Sequence, residues 1–180
     1  MPSTDARRLF FVSLILVLAL GTPLWSAPAG LSFSTWMPSK TIGGGEGVHL
    51  SIGGFVAPHP HLELEANAIL ALTPMIGEHL YTSLNISTAF AGPFYYTDER
   101  ATLYYNGLVG ATFLGGYDFA RQSWSAALGV RVVPFTIGGA YYGRRQRALE
   151  FSVLYDFIQE KWSVLWSLLG YDIYTHSAEG

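Results

Sequence analysis

The chain has no cysteine among its 180 residues. Disulfides, thiolate metal sites and a lipid-bearing N-terminal cysteine are excluded together. Charge is scarce as well. Asp, Glu, Lys and Arg make up 13% of the residues, against about 25% in an average soluble domain. The net charge of −3 offers no basic excess, and nucleic acid is not an expected partner. Beyond Gly30 no apolar run reaches the roughly 20 residues of a membrane-spanning helix. No low-complexity tail and no second domain stand out. What the chain does have is aromatic residues, 15% of the total, and 20 glycines.

The N-terminal stretch reads as a separate unit. Arg7 and Arg8 precede the apolar run "LFFVSLILVLAL", Leu9 to Leu20. Gly21, Pro23 and the small tripeptide Ala27-Pro28-Ala29 follow. A charged start, a short apolar middle and an A-x-A end describe a secretory signal peptide. The expectation is a leader over 1–29, cleaved after Ala29, and a single domain over 30–180.

From Gly30 onward the hydrophobic period is two. Val48, Leu50, Ile52 and Val56 alternate with His49, Ser51 and Gly53. Leu62, Leu64, Ala66, Ala68 and Leu70 alternate with His61, Glu63, Glu65 and Asn67. The same rhythm returns over 79–91, 101–117, 123–133, 147–157 and, less cleanly, 162–174, with a short first segment over 31–37. Such alternation is the signal of a two-faced strand. Eight strands joined by turns, with no helix between them, predict an all-β, closed, up-and-down antiparallel barrel.

Two kinds of barrel share this pattern. A soluble, lipocalin-like barrel turns its apolar face inward. A transmembrane barrel turns it to lipid and keeps small polar residues in the lumen. Here the polar face is mostly Ser, Thr, Asn and Gly, and the two lysines, Lys40 and Lys161, fall in connections. A water-facing surface would carry many more charges. Tyr117, Phe119 and Trp124 flank one turn, and Tyr155, Phe157 and Trp162 flank another. Phe90, Phe94, Tyr95, Tyr96, Tyr104, Phe135, Tyr141, Tyr142, Tyr171 and Tyr174 gather toward the opposite end. Two aromatic belts around an apolar band favour the transmembrane reading.

On this pattern the chain resembles the small outer-membrane barrels of the OmpA/OmpX/OmpW-like group, over Gly30 to Tyr174. The resemblance implies a bacterial outer-membrane location, outer-membrane lipids as surroundings, and a barrel-assembly machinery as partner during biogenesis. Barrels of that group end on an aromatic residue. Here Tyr171-Asp172-Ile173-Tyr174 is followed by "THSAEG". An even strand number puts both termini on the periplasmic side. The connections near 92–100 and 134–146 then fall on that side too, where short turns are the rule. Either strands run on into "PFYY" and "PFTIGGAYY", or the count is off by one. The pattern says nothing of oligomeric state.

The candidate chemistry is sparse. Glu63, Glu65, Arg131 and Glu150 are all expected to face inward near one end. Burying charge is costly unless it is paired, so a lumen ion network around Arg131 is expected, its surplus negative charge either shared by His61 or relieved by a proton on one glutamate. In OmpA-like barrels a lumen ion pair acts as a gate, a role the resemblance extends to Glu63 and Arg131. Arg144, Arg145 and Arg147 form the one basic cluster, expected in a turn where it meets lipid phosphates or water. His59 and His61 straddle Pro60 and lack the further ligands zinc requires; no metal and no cofactor are expected. His49-Leu50-Ser51 resembles part of the motif of outer-membrane lipid A deacylases, without its asparagine. The glycine run "TIGGGEG" lacks the lysine of a phosphate loop. The leading expectation is a non-enzymatic outer-membrane barrel with an envelope-structural or surface-contact role. The alternatives are a narrow channel or carrier for small or hydrophobic solutes, a lipid A-modifying enzyme, and a soluble barrel.

Overall fold

The computed structural model describes residues 27–38, 47–59, 61–72, 79–90, 105–119, 121–139 and 143–176. The expected leader up to residue 26, the aromatics Phe94, Tyr95, Tyr96, Tyr104, Tyr141 and Tyr142, and the "TIGGGEG" run up to Glu46 lie outside the described residues.

Eight strands follow one another: β1 (Ala29–Pro38), β2 (His49–His59), β3 (Leu62–Ala71), β4 (His79–Ala89), β5 (Tyr105–Asp118), β6 (Ser123–Gly139), β7 (Arg144–Asp156) and β8 (Lys161–His176). Each pairs antiparallel with the next, and β8 pairs back onto β1, closing the barrel. Closure satisfies every edge, which an open sheet of alternating strands would leave exposed. The expected strand count and topology therefore hold. Pairing begins at Ala29, opposite Val56 of β2 and His176 of β8.

The faces are inverted relative to a water-soluble protein. Phe113, Val130, Phe151, Val153, Trp162 and Leu169 are 41–68% exposed, while Arg131, Arg147, Glu63 and Glu150 are each 1% exposed. The lumen is packed. Ile69, Leu114, Ala127 and Leu154 form one apolar cluster inside it, and Ala57, Leu108 and Val133 another. An eight-stranded barrel is just wide enough for side chains to fill. Gly116 shows how tight the fit is: a Cβ there would lie 2.3 Å from the ring of Tyr81.

Strict alternation fails along one line, which decides one open reading in favour of longer strands and corrects two expectations. On β6 the inward residues run Ser125, Ala127, Arg131, Val133 and then Thr136, with Pro134 and Phe135 both turned away. On β7, Arg145 and Arg147 point in, Ala148 and Leu149 turn away, and Glu150, Ser152 and Leu154 point in. On β8, Ser163 and Ser167 are followed by Gly170, Asp172 and Tyr174, with Leu168 and Leu169 outward. Phe135 pairs with Ala148, and Ala148 with Leu169, so the three skips are neighbours. Leu149 adopts φ of 58°, and the ladders beside the line shift register between Asn106 and Leu108 and between Ser34 and Met37. Bulges add a residue and bend the strand in this way.

First, β6 runs through "PFTIGG" and β7 starts at Arg144, so most of 134–146 is strand rather than a long connection. The corresponding question at 92–100 lies outside the described residues. Second, Arg145 and Arg147 are lumen residues. Third, Tyr174 is not part of an outer aromatic belt. It is 9% exposed and packs edge-on against Phe55, 4.9 Å between ring centroids.

Candidate functional site

The lumen holds one connected ionic network, built from both walls of the barrel. β3 contributes Glu63 and Glu65. Glu63 receives two bonds from Arg145 of β7, at 2.7 and 3.0 Å. Glu65 is reached by Arg131 of β6 and by Arg147 of β7, the latter at 3.1 Å. Arg131 also bonds Glu150 through Nε. Asp172 of β8 joins the two β7 arginines, accepting from Arg145 Nε at 2.7 Å and lying 3.1 Å from Arg147 Nη2. Neutral groups complete the shell. Ser32 of β1 donates to Glu65 and accepts from Arg147 at 2.7 Å. Asn85 donates to Glu65, and Thr112 donates to Asn85.

The physical logic follows from burial. None of the seven charged side chains is more than 3% exposed. Charges so removed from water persist when each is paired and further hydrogen-bonded, and bidentate arginine–carboxylate contacts are the strongest of these. Glu63, Glu65, Glu150 and Asp172 set four carboxylates against the three guanidiniums of Arg131, Arg145 and Arg147. Arg145 is also held between aromatic faces, 5.3 Å from the Phe55 centroid and 6.0 Å from that of Tyr174. Such cation–π contacts suit a guanidinium out of water.

Glu65, Arg131 and Glu150 are thus brought into direct contact, whereas Glu63 meets Arg145 and not Arg131. Two of the three arginines assigned to lipid phosphates are corrected: Arg145 and Arg147 are 3% and 1% exposed and bonded to carboxylates. Arg144 alone of that cluster is exposed. His61 is exposed, outside the buried network, and its ring lies 5.9 Å from that of His59. Asp172 was missed altogether. A lone aspartate inside "LLGYDIY" is a signal that could have found it, since an unpaired charge is seldom turned to lipid.

The other end of the lumen carries a smaller cluster. The His49 and His79 rings lie 5.6 Å apart across β3. His79 Nδ1 faces Asp118 Oδ2 at 3.3 Å, and the two residues are register partners on β4 and β5. Asp118 also lies 3.8 Å from Arg121. Ser51, the partner of His49 in the H-x-S pair, is 1% exposed and inward. Both residues of that pair therefore face the lumen rather than the apolar exterior. Among the described residues no three His, Asp or Glu side chains are placed to hold a metal ion.

These features define a closed eight-stranded β-barrel with a polar, ion-paired interior. No protein-family model matches the chain, and no curated protein matches it in sequence.

Proposed function

We propose that the protein is a non-enzymatic, integral outer-membrane β-barrel of the OmpA/OmpX/OmpW-like kind, with an envelope-structural or surface-contact role and a lumen sealed by its own ion network. The observation that carries this reading is the inversion of its faces. Leu31, Ile52, Ile86, Phe113, Val130 and Phe151 are each 41–55% exposed along the strands, over a lumen that contains buried arginines and carboxylates. In water such a belt would be an aggregation surface far larger than soluble proteins tolerate. In a bilayer it meets hydrocarbon, and each backbone polar group is satisfied within the ladder. The charged N-terminal start and the apolar run after it agree with export.

The packing of side chains in the lumen supports a structural role over a channel or carrier. Along β6 the lumen face passes Val133, Arg131, Ala127 and Ser125, all at most 7% exposed. The inward His49 and Ser51 also weigh against a lipid-modifying enzyme, whose reacting groups must reach the acyl chains outside. Gel mobility with and without boiling tests the barrel in membranes. The folded form should enter vesicles, resist alkaline extraction and shift on heating. A protein that stays soluble without lipid or detergent and shows no shift would overturn the reading. In a planar bilayer the unmodified protein should pass no steady current.

A further inference from the structure

Two hairpin tips repeat one design. "YDFARQSW" (117–124) and "YDFIQEKW" (155–162) share the pattern Y-D-F-x-x-x-x-W. In both, the aspartate points inward and accepts backbone N–H bonds of the turn. Asp118 takes Arg121 N at 2.8 Å, and Asp156 takes Ile158 N at 2.8 Å and Gln159 N at 2.9 Å. In both, the residue closing the turn has positive φ, 51° at Gln122 and 52° at Glu160. In both, the tyrosine packs between the other two rings. Tyr117 lies 5.1 Å from Phe119 and 4.8 Å from Trp124, and Tyr155 lies 5.4 Å from Phe157 and 5.2 Å from Trp162. The tips are neighbours, joined by Gln159 Nε2 donating to Ser125 Oγ at 3.0 Å and by Phe157 N donating to Ala126 O at 2.9 Å.

A turn at a water-facing rim would be polar at its apex. Here the apex residues Phe157 and Ile158 are 57% and 56% exposed, and Trp162 is 65% exposed. The aromatic edge runs without a break into the apolar exterior, through Trp124, Ala126, Leu128 and Val130 on β6 and Trp162, Val164, Trp166 and Leu168 on β8. Arg121, with its side chain 48% exposed, and the exposed Lys161 stand beside the rings. Amphipathic rings with long cationic side chains at their margin match the headgroup layer of a bilayer, where the ring lies on acyl carbon and the cation reaches phosphate.

We infer that the two tips form a single anchor for the lipid headgroup layer on the β5–β8 side of the barrel. Their turns lie within that layer instead of standing above it, and the depth of the barrel is set there. This inference rests on the membrane reading above and goes beyond it by assigning the turn apices, not only the strands, to lipid.

Depth-dependent quenching tests it. Variants of the full chain retain one tryptophan each, Trp124, Trp162 or Trp166, with the others replaced by Phe. They are folded into phosphatidylcholine vesicles whose acyl chains carry bromine either near the headgroup or near the chain end. Trp166 lies four residues along β8 from Trp162, which is about 10 Å along the membrane normal for a tilted strand. The expected shallow-to-deep quenching ratio is above one for Trp124 and Trp162 and below one for Trp166. A Phe157→Ser/Ile158→Ser double variant should keep its heat-shifted gel mobility while quenching of Trp162 by both probes weakens. If Trp166 is quenched while Trp124 and Trp162 are untouched by either probe, the tips lie in water or against a second copy. The anchor is then wrong and the barrel reading survives. If all three are quenched best by the deep probe, the tips lie in hydrocarbon and the anchor is again wrong. If none is quenched, the membrane reading itself falls.

Discussion

The two ends of the lumen hold charge in different ways. At the end near the termini, Glu63 and Glu65 of β3 reach across to Arg131, Arg145 and Arg147 of β6 and β7, and Asp172 links these to β8. Arg131–Glu150 and Arg145–Asp172 join adjacent strands, but the β3 glutamates bond arginines on the opposite wall, 66 and 82 residues away in sequence. At the other end, His79 pairs with Asp118 on the adjacent strand, and Asp118 and Asp156 cap their own turns. Those cross-wall bonds exist only when the whole barrel has closed. The contacts at the other end can form as soon as neighbouring strands meet. One end is therefore a global tie and the other a set of local ones, and their loss should be felt differently.

The largest expected effect is at the cross-lumen tie. Arg147→Ala leaves Glu65, Glu150 and Asp172 short of a partner in a fully buried site. Breaking a buried ion pair in this way costs about 3–5 kcal/mol. Urea unfolding followed by tryptophan fluorescence should show the loss, and barrels equally stable without Arg147 would contradict the account. Arg131→Ala should destabilise comparably. If the network is also the seal, this variant should pass ions in a planar bilayer where the unmodified protein does not. An unchanged stability and a silent bilayer together would remove any role for Arg131. A sharper version replaces both Arg131 and Glu150 with Met. Removing both partners should restore most of the lost stability, because the penalty is the uncompensated charge and not the missing attraction.

Smaller effects are expected at the local end. Asp118→Ala removes a turn cap and the partner of His79, at a cost of about 1–2 kcal/mol in the same urea assay. A loss as large as that of Arg147→Ala would erase the distinction between the two ends. The smallest change tests the bulge line. At Leu149, φ of 58° suits glycine but not a β-branched side chain. Leu149→Ile should destabilise by about 1 kcal/mol, and Leu149→Gly should be nearly neutral, since relief of strain offsets the added chain freedom.

How much of this was legible follows from the bulge line. Glu63, Glu65 and Arg131 lie where alternation is unbroken, and counting by twos places them inside. Arg147 lies beyond the skip at Ala148–Leu149. Counting back by twos from Phe151 assigns it to the exterior, which is why the arginine cluster read as a lipid-facing turn. Asp172 and Tyr174 lie beyond the matching skip at Leu168–Leu169, and counting forward from Trp166 errs in the same way. A period-two pattern carries no trace of a one-residue slip, because each side of the slip alternates cleanly by itself. The Y-D-F-x-x-x-x-W repeat was visible as two aromatic turns. That its aspartates face inward and its rings pack on one tyrosine required the folded tips.

By itself the sequence determined the number of strands, their antiparallel order, and the split into an apolar face and a small-polar face. Those depend on local periodicity and turn chemistry, which each segment carries within itself. Tertiary structure alone decided which charges meet. The lumen partners lie up to 115 residues apart, as between Ser32 and Arg147. Their encounter depends on barrel closure and on where three neighbouring strands each skip one residue. That skip moves two arginines and an aspartate from the apolar outer face to the inside, where the glutamates need them.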